Sequence, residues 1–303
     1  NTTQSVMLKV IIALSPAVGA AICFFGLRAL LLILICIISC LLGEWLLTKI
    51  RKKPSTINDL SAVVTGLLLA LLLPPTTTWY AAILGSLFSI IVGKQLFGGL
   101  GFNIFNPALL GRAFLMAAYP MMLNTYIKPL TADAVTTATP LTLIKYSQEL
   151  TSAKSLFIGN VAGSLGETSA VCLIIGGIYL LLKKVGDWRI PLSIFLTVLI
   201  SATICFFLDP SKGSPFFHLF SGGMLLGVFF MATDPVSTPT TKKGRFVFGV
   251  ICGLMIMIIR YWGGYPEGVM YSILFMNAFS PLINRYTVAK SFGRDKVSLK
   301  AAV

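Results

Sequence analysis

Few residues in this chain have types and surroundings that suit chemistry. The most concentrated set is Asp133-Ala134-Val135-Thr136-Thr137-Ala138-Thr139-Pro140-Leu141, inside a polar loop, 124–166, that separates two long apolar blocks. Loops held by a rigid scaffold carry reactive groups disproportionately. Here the groups are one carboxylate, Asp133, and three hydroxyls, Thr136, Thr137 and Thr139. An unaided threonine hydroxyl is a poor nucleophile, so a bond made there needs activation from outside. The alternative for the same residues is a threonine-rich turn that carries nothing. A second group consists of charges placed against apolar sequence. Asp234 precedes Pro235 and follows an apolar run without a basic neighbour on its N-terminal side, and a carboxylate at membrane depth needs a counter-ion, which a conducted cation supplies. The competing reading is an interfacial Asp-Pro turn. Arg112 lies within an apolar run, and Glu167 opens another. Asn106 before Pro107 is a helix-initiating pair.

The elements that must position these residues are membrane helices. Hydrophobic residues are 56% of the 303 and charged residues 11%, against about 25% charged in a soluble domain. Ten apolar segments are expected near 8–24, 29–48, 60–73, 79–97, 105–123, 167–182, 190–207, 215–231, 245–261 and 267–284. A full crossing takes about 20 residues, so the third is short. Pro16 in the first segment, and the spans that follow it, read against a cleavable leader. The net charge of +14 is a topology signal and gives no reason to expect nucleic acid. With a cytoplasmic N-terminus, Lys and Arg crowd the inner loops and tails (Lys49 to Lys53, Lys94, Lys183, Lys184, Lys242 to Arg245, Arg285 onward). The outer side keeps Arg28, Lys128, Lys145, Lys154, Lys212 and Arg260. That asymmetry puts both termini in the cytoplasm and 124–166 outside, with a secondary attraction to anionic lipid.

All six cysteines lie in apolar spans, and the sequence has no Cys-x-x-Cys pair or histidine cluster. Cys36 and Cys40 share a helix face but read as small packing residues. An iron–sulfur centre held by this chain alone is not expected. His218, the single histidine, reads as interfacial, and Gly98, Gly99 and Gly101 follow no strand, so they are not a dinucleotide fingerprint.

The chain also repeats itself. Ser61 through Pro75 aligns with Ser221 through Pro235, Gly85 with Gly249, and Phe97-Gly-Gly with Trp262-Gly-Gly, at a nearly constant offset. Five spans per half is an odd number, so the second half enters the membrane inverted. Each half has a short apolar segment ending at proline, Pro74-Pro75 or Asp234-Pro235. Proline breaks the helical ladder, and paired broken segments point to a conducted species.

Several of these stretches together resemble one family over essentially the whole chain. They are Gly98 through Phe114, Gly166-Glu-Thr-Ser-Ala170, Phe230-Met-Ala-Thr-Asp-Pro-Val-Ser237, and Tyr265-Pro-Glu-Gly268 through Phe275-Met-Asn-Ala-Phe279. The family holds the D subunit of the Rnf complex and the B subunit of the sodium-translocating NADH:quinone reductase. A first span that begins almost at once favours the Rnf member. The stretch Asp133 to Thr139 is similar to Asp-x-x-Ser/Thr-Gly-Ala-Thr, at whose last threonine FMN is attached through its phosphate; Thr137 stands where that motif has the more permissive glycine. The resemblance implies an all-α integral membrane protein of ten transmembrane segments in two inverted five-helix repeats, similar to urea transporters. It divides the chain into a first repeat 1–123, an extracytoplasmic flavin-bearing loop 124–166, a second repeat 167–285 and a cytoplasmic tail 286–303. It implies a flavoprotein subunit in the bacterial cell membrane, within an ion-translocating electron-transfer complex between ferredoxin and NAD.

Covalent FMN is expected on Thr139, placed there by a separate flavin transferase, with Asp133, Thr136, Thr137, Ala138, Asn106, Arg112 and Glu167 as further cofactor contacts. Asp234 and Glu267 are assigned to the route of Na+ or H+. A second, noncovalent flavin, riboflavin, is implied by relatives without a site. The implied partners are the other Rnf subunits: membrane iron–sulfur subunits, an FMN-bearing G subunit and an NADH-binding C subunit. The rival reading, which the repeat supports equally, is a small-solute channel or secondary transporter of urea-transporter-like fold. Such a protein has no use for Asp133 to Thr139.

Overall fold

Backbone polar groups within lipid must be satisfied internally, and this composition leaves the helix as the way to do so. The computed structural model describes residues 2–52, 56–129, 136–147, 151–159, 161–167 and 169–288. The chain opens with a hairpin of two long helices, α1 (Thr3–Phe25) and α2 (Leu27–Ile50). Their link is the single residue Gly26, at φ 62° and ψ −141°, where a side chain would be strained. A short helix α3 (Ser61–Leu72) follows, then α4 (Trp79–Ile90), which continues as a π turn at Ile91–Gln95, then α5 (Pro107–Ala118) and α6 (Pro120–Leu123). The central segment contributes β1 (Tyr126–Ile127), β2 (Thr136–Thr137), α7 (Pro140–Ser147) and α8 (Ala153–Ile158). A 3-10 turn at Leu165–Glu167 leads into α9 (Ala170–Leu182) and α10 (Arg189–Leu208). The chain then forms a 3-10 turn at Pro210–Lys212, α11 (Pro215–Phe220), α12 (Met224–Leu226) with a π turn at Gly227–Met231, α13 (Lys242–Trp262) and α14 (Val269–Thr287).

Each of the ten expected apolar ranges contains helix, but their lengths differ in kind. Among the described residues, α1, α2, α10 and α13 are long and apolar enough to cross a membrane. A fifth candidate is the pair Pro210–Phe220 and Met224–Met231, bent by 44° at its break. Helices α3, α5 and α9 are shorter apolar helices. In α3 nearly every side chain is buried, so protein surrounds this segment on all sides.

The interrupted segments meet in the interior. Helix α3 stops at Leu72, Leu73 is extended, and Pro74 cannot continue the ladder. The freed Leu73 carbonyl accepts the amide of Leu165 at 3.0 Å. Beside it, a Cβ on Gly166 would lie 2.7 Å from Leu226 Cδ2 and 2.9 Å from the Leu71 carbonyl. Only glycine lets this turn wedge between α3 and α12, and the next residue in the turn is Glu167.

Small residues set the helix crossings, as is usual where lipid removes the hydrophobic driving force between helices. Gly249 and Gly253, four apart on α13, lie against α10: a Cβ on Gly253 would be 2.9 Å from Thr197 Cβ, and one on Gly249 would collide with Ser193. Gly66 of α3 comes as close to the backbone of α2 at Ile37. The described cysteines are free thiols, three of them buried.

One basic residue expected in an inner loop lies elsewhere. The π turn after α4 aims Lys94 inward, where its ammonium donates to both Glu44 oxygens at 2.7 and 2.9 Å and to the Ser61 hydroxyl. Both partners are buried, and Gln95 donates to the same carboxylate at 3.2 Å. A buried charge pair survives only when its remaining lone pairs and protons are met, and this one is so equipped. Arg260, expected on the outer side, is likewise buried within α13.

Candidate functional site

Thr139 immediately precedes the Pro140 that opens α7, and it caps that helix. Its hydroxyl accepts the Thr142 amide at 3.3 Å and stands 2.7 Å from the Thr142 hydroxyl, while its carbonyl accepts from the Leu143 amide at 2.9 Å. A threonine cap followed by proline is a favoured helix start. Just upstream, β2 pairs antiparallel with β1, placing Thr137 opposite Tyr126 and Thr136 opposite Ile127. Thr137 therefore has extended backbone, which any residue adopts, and the lost glycine of the motif requires no left-handed conformation here. Asp133 lies outside the described residues.

The loop is strapped to the end of α13. Lys145 of α7 donates to the carbonyls of Gly263 at 2.5 Å, Tyr265 at 2.9 Å and Ile259 at 3.4 Å, and the Tyr146 hydroxyl donates to Gly264 at 3.1 Å. Removal from water pushes the Lys145 ammonium below the usual lysine range. Thr139 is buried as a result, whereas its neighbour Ala138 is exposed.

Between this strap and the helices lies a cavity of about 440 Å³, whose lining includes Tyr126, Thr137, Thr139, Glu167, Tyr265 and Glu267. Its charged wall joins the two blocks of the chain. Arg112, from α5, donates to Glu267, just before α14, at 2.7 Å, and the other Glu267 oxygen accepts the Gly223 amide at 2.8 Å. A Cβ on Gly223 would lie 2.5 Å from the Glu267 carboxylate and 3.7 Å from that of Glu167. Both carboxylates thus converge on one glycine. Arg112 is 2% exposed and Glu267 18%, so the pair grades from protein interior to cavity wall. Two buried polar atoms here lack a hydrogen-bond partner among the described residues, Arg112 Nε and Thr137 Oγ1.

The structure regroups the expected residues. Thr139, Thr137, Ala138 and Glu167 share the cavity, and Arg112 stands behind it. Glu267, assigned with Asp234 to the ion route, lines this cavity, because the turn before α14 folds toward Arg112. Asn106, expected near the cofactor, caps the opposite end of α5, accepting from the amides of Ala108 at 3.1 Å and Leu109 at 3.4 Å. There it lines a separate cavity of about 90 Å³ with Lys94, Asn103 and Asp234. The Asp234 carboxylate closes its own turn, accepting from the Val236 amide at 3.2 Å and the Ser237 hydroxyl at 3.0 Å. Among the described residues it makes no ion pair. Sequence inspection missed Tyr126 and the Lys145 strap, since neither belongs to a periodic pattern and their partners are remote in sequence. Tyr265 belongs to one of the stretches that carry the family resemblance, but it had no assigned role.

Known proteins resemble the chain along its length. Residues 1–293 match the family described as NQR2, RnfD, RnfE. The chain is 48% identical over 306 residues to the D subunit of the Na(+)-translocating ferredoxin:NAD(+) oxidoreductase complex of Acetobacterium woodii, covering 99% of this chain and 94% of that protein. It is 43% identical to the D subunit of the proton-translocating ferredoxin:NAD(+) oxidoreductase complex of Clostridium ljungdahlii, over 97% and 92% of the two chains. The D subunit of the Escherichia coli ion-translocating oxidoreductase complex is 36% identical, over 97% and 95%.

Proposed function

This chain belongs to the NQR2, RnfD, RnfE family, and from that premise we propose that it is the flavin-carrying membrane subunit of an ion-translocating ferredoxin:NAD oxidoreductase complex. FMN is joined through its phosphate to the Thr139 hydroxyl as a phosphoester. The chain relays electrons between partner subunits that carry the other redox centres, and that flow is coupled to movement of Na+ or H+. One observation carries the reading: the threonine at the end of the motif-like stretch lines a cavity of about 440 Å³, within the roughly 300–1,000 Å³ usual for cofactor-sized ligands.

The residues present fit the group. Tyr126, Tyr146 and Tyr265 give the cavity an aromatic lining suited to a planar ring system. The start of α7 lies at Thr139, and the positive end of that helix dipole favours a phosphate there. Among the described residues Thr137 Oγ1 and Arg112 Nε remain as unpaired donors near the wall. When bound, flavin supplies one- and two-electron transfer. The chain's part is to hold and orient it: Lys145 and Tyr146 fix α7, and the Arg112–Glu267 pair sets the charge of the wall. Because the Thr139 hydroxyl is engaged as a cap, a flavin transferase must reach it with the start of α7 loosened.

Intact mass of the chain co-expressed with its flavin transferase should show one added FMN less water. Thr139→Ala should abolish in-gel flavin fluorescence, and covalent flavin persisting in that variant would refute the site. The charge distribution supports cytoplasmic termini and an extracytoplasmic 124–166 loop, and Lys94 and Arg260, being buried, drop out of that tally without changing its sign.

A further inference from the structure

A second polar cavity, of about 160 Å³, lies next to the first, beyond Leu141 and Pro266, and its walls come from α7, α11, α13 and the 3-10 turn at Pro210–Lys212. Arg260 of α13 lines it, 4% exposed. Its terminal nitrogens donate to the carbonyls of His218 at 2.6 Å and Ser221 at 3.0 Å, while its Nε is buried with no partner among the described residues. His218 lines it as well, 2% exposed. Its Nε2 lies 2.9 Å from the Lys212 carbonyl and 3.0 Å from the Tyr261 hydroxyl, and its Nδ1 is likewise buried without a partner among the described residues. The Ser221 hydroxyl, on the residue whose carbonyl Arg260 holds, is the third such atom. Buried polar groups are seldom left without partners. With Nε2 donating to the Lys212 carbonyl, Nδ1 of the neutral ring is an acceptor, so the unmet donors are the Arg260 Nε and the Ser221 hydroxyl, and they call for a group that accepts hydrogen bonds.

The charge around the cavity selects what that is. A guanidinium Nε only donates, which calls for an acceptor. Lys212 sits at the rim, more than a third exposed, with only a long 3.9 Å contact to Asp209 and its ammonium 5.7 Å from the Tyr261 ring centre. It is thus able to turn toward an anion, whereas Lys145 is committed to its three carbonyls. Among the described lining residues Asp209 is the carboxylate, against Lys145, Lys212 and Arg260; Glu267 approaches Arg260 from the Gly222 side, outside this lining, so Lys212 carries the uncompensated charge at the rim. The neighbours of these residues are apolar and strongly exposed: Phe207 and Leu208 before Asp209, Phe216 before Phe217-His218, and Trp262 after Tyr261. Such a fringe belongs at the boundary between acyl chains and headgroups. We propose that this cavity binds the phosphate of an anionic phospholipid headgroup, with Arg260 as the buried donor, Lys212 as the outer charge, and the Phe207–Leu208 and Trp262 fringe against the acyl chains.

The test uses the full chain, purified in detergent and stripped of lipid. Short-chain phosphatidylglycerol, phosphatidylcholine of equal length and inorganic phosphate are added separately, with thermal stabilisation and retained lipid in native mass spectra as readouts. Phosphatidylglycerol should bind at least about tenfold more tightly than phosphatidylcholine, and Lys212→Glu should remove most of that preference. Because Lys212 is exposed, that variant should melt like wild type without lipid, and Arg260→Lys provides a second, interior probe. Equal binding of the two lipids, or an unchanged preference in Lys212→Glu, would overturn the site. Displacement of phosphatidylglycerol by low-millimolar inorganic phosphate would overturn the lipid assignment in favour of a free anion.

Discussion

Arg112 and Glu267 come from opposite halves of the chain and meet at 2.7 Å beside the Thr139 cavity. Removing one member of a buried pair strands the other, which typically costs about 3–5 kcal/mol. Arg112→Ala should therefore lower stability in detergent by about 3 kcal/mol. Glu267→Ala should cost less, because a stranded arginine keeps the neighbouring Glu167 carboxylate as a partner in charge. The double variant should lie well short of the sum, as coupled neighbours do. Additive losses in thermal or denaturant unfolding would show that the pair is not energetically coupled. At Thr139 the same residue serves two purposes, helix cap and proposed acceptor. The flavin is expected to need the hydroxyl, whereas the fold loses about 1 kcal/mol on Thr139→Ala, the ordinary worth of a cap.

The helices are held by close approaches and by a few charged clasps, and each can be tested apart from the cavity. Gly249→Leu should prevent α13 from seating on α10, because even a Cβ there collides with Ser193; loss of folded protein on size-exclusion chromatography is the expected result. Gly19, inside α1, has nothing within 4 Å of an added Cβ. Gly19→Ala should be neutral or stabilising by up to about 1 kcal/mol. A monodisperse Gly249→Leu protein would disprove the packing account. Between α9 and α10, Asp187 pairs with Arg189 at 3.0 Å and with Arg245 of α13. Burial works to raise its carboxyl, but the Arg189 amide and the Arg245 guanidinium outweigh that and hold it below the usual carboxylate range. A depressed folded value means the stabilisation is complete above the unfolded value of about 3.9 and disappears as pH falls through the folded one. Asp187→Asn should accordingly melt below wild type at pH 7, with the gap closing under about pH 4. A gap independent of pH would remove charge as its cause.

At the level of the whole molecule, two cavities lie at different heights along α5. Asn106 borders one at the start of the helix, and Arg112 stands behind the other, about 9 Å further along the axis at 1.5 Å per residue. The proposed function gives the Thr139 cavity to electrons, and the sequence expectation for Asp234 makes its cavity the one to test for ions. Asp234→Asn should leave covalent flavin intact while weakening ion transport or its dependence on the cation; unchanged transport in a folded, flavinylated complex would return Asp234 to a turn role. The named ions of two relatives differ, sodium at 48% identity and protons at 43%, so overall likeness does not fix the ion. Orientation is open to direct test: a cysteine introduced at Ser152 should react with an impermeant thiol reagent from the extracytoplasmic side. Labelling solely from the cytoplasm would reverse the assigned topology.

The sequence by itself determined where helices form, since apolar runs, proline breaks and Gly26 act on neighbours along the chain, and α1, α2, α10 and α13 follow the expected ranges within a few residues. It also determined the family, because that likeness is carried by residue order. Only the tertiary structure decided which polar residues share a wall. Glu267 met Arg112 at the Thr139 cavity, and Lys94 turned from a loop cation into the buried partner of Glu44, whereas the Asn106 cap and the Asp234 turn use neighbours in the chain and were legible as alternatives in the sequence. The physical reason is common to Glu267 and Lys94. A helix records its own periodicity, but nothing local in the sequence records the direction in which a charged side chain finds its partner. Those partners lie 155 residues away for Arg112 and 50 for Lys94, and they meet only after the two halves pack.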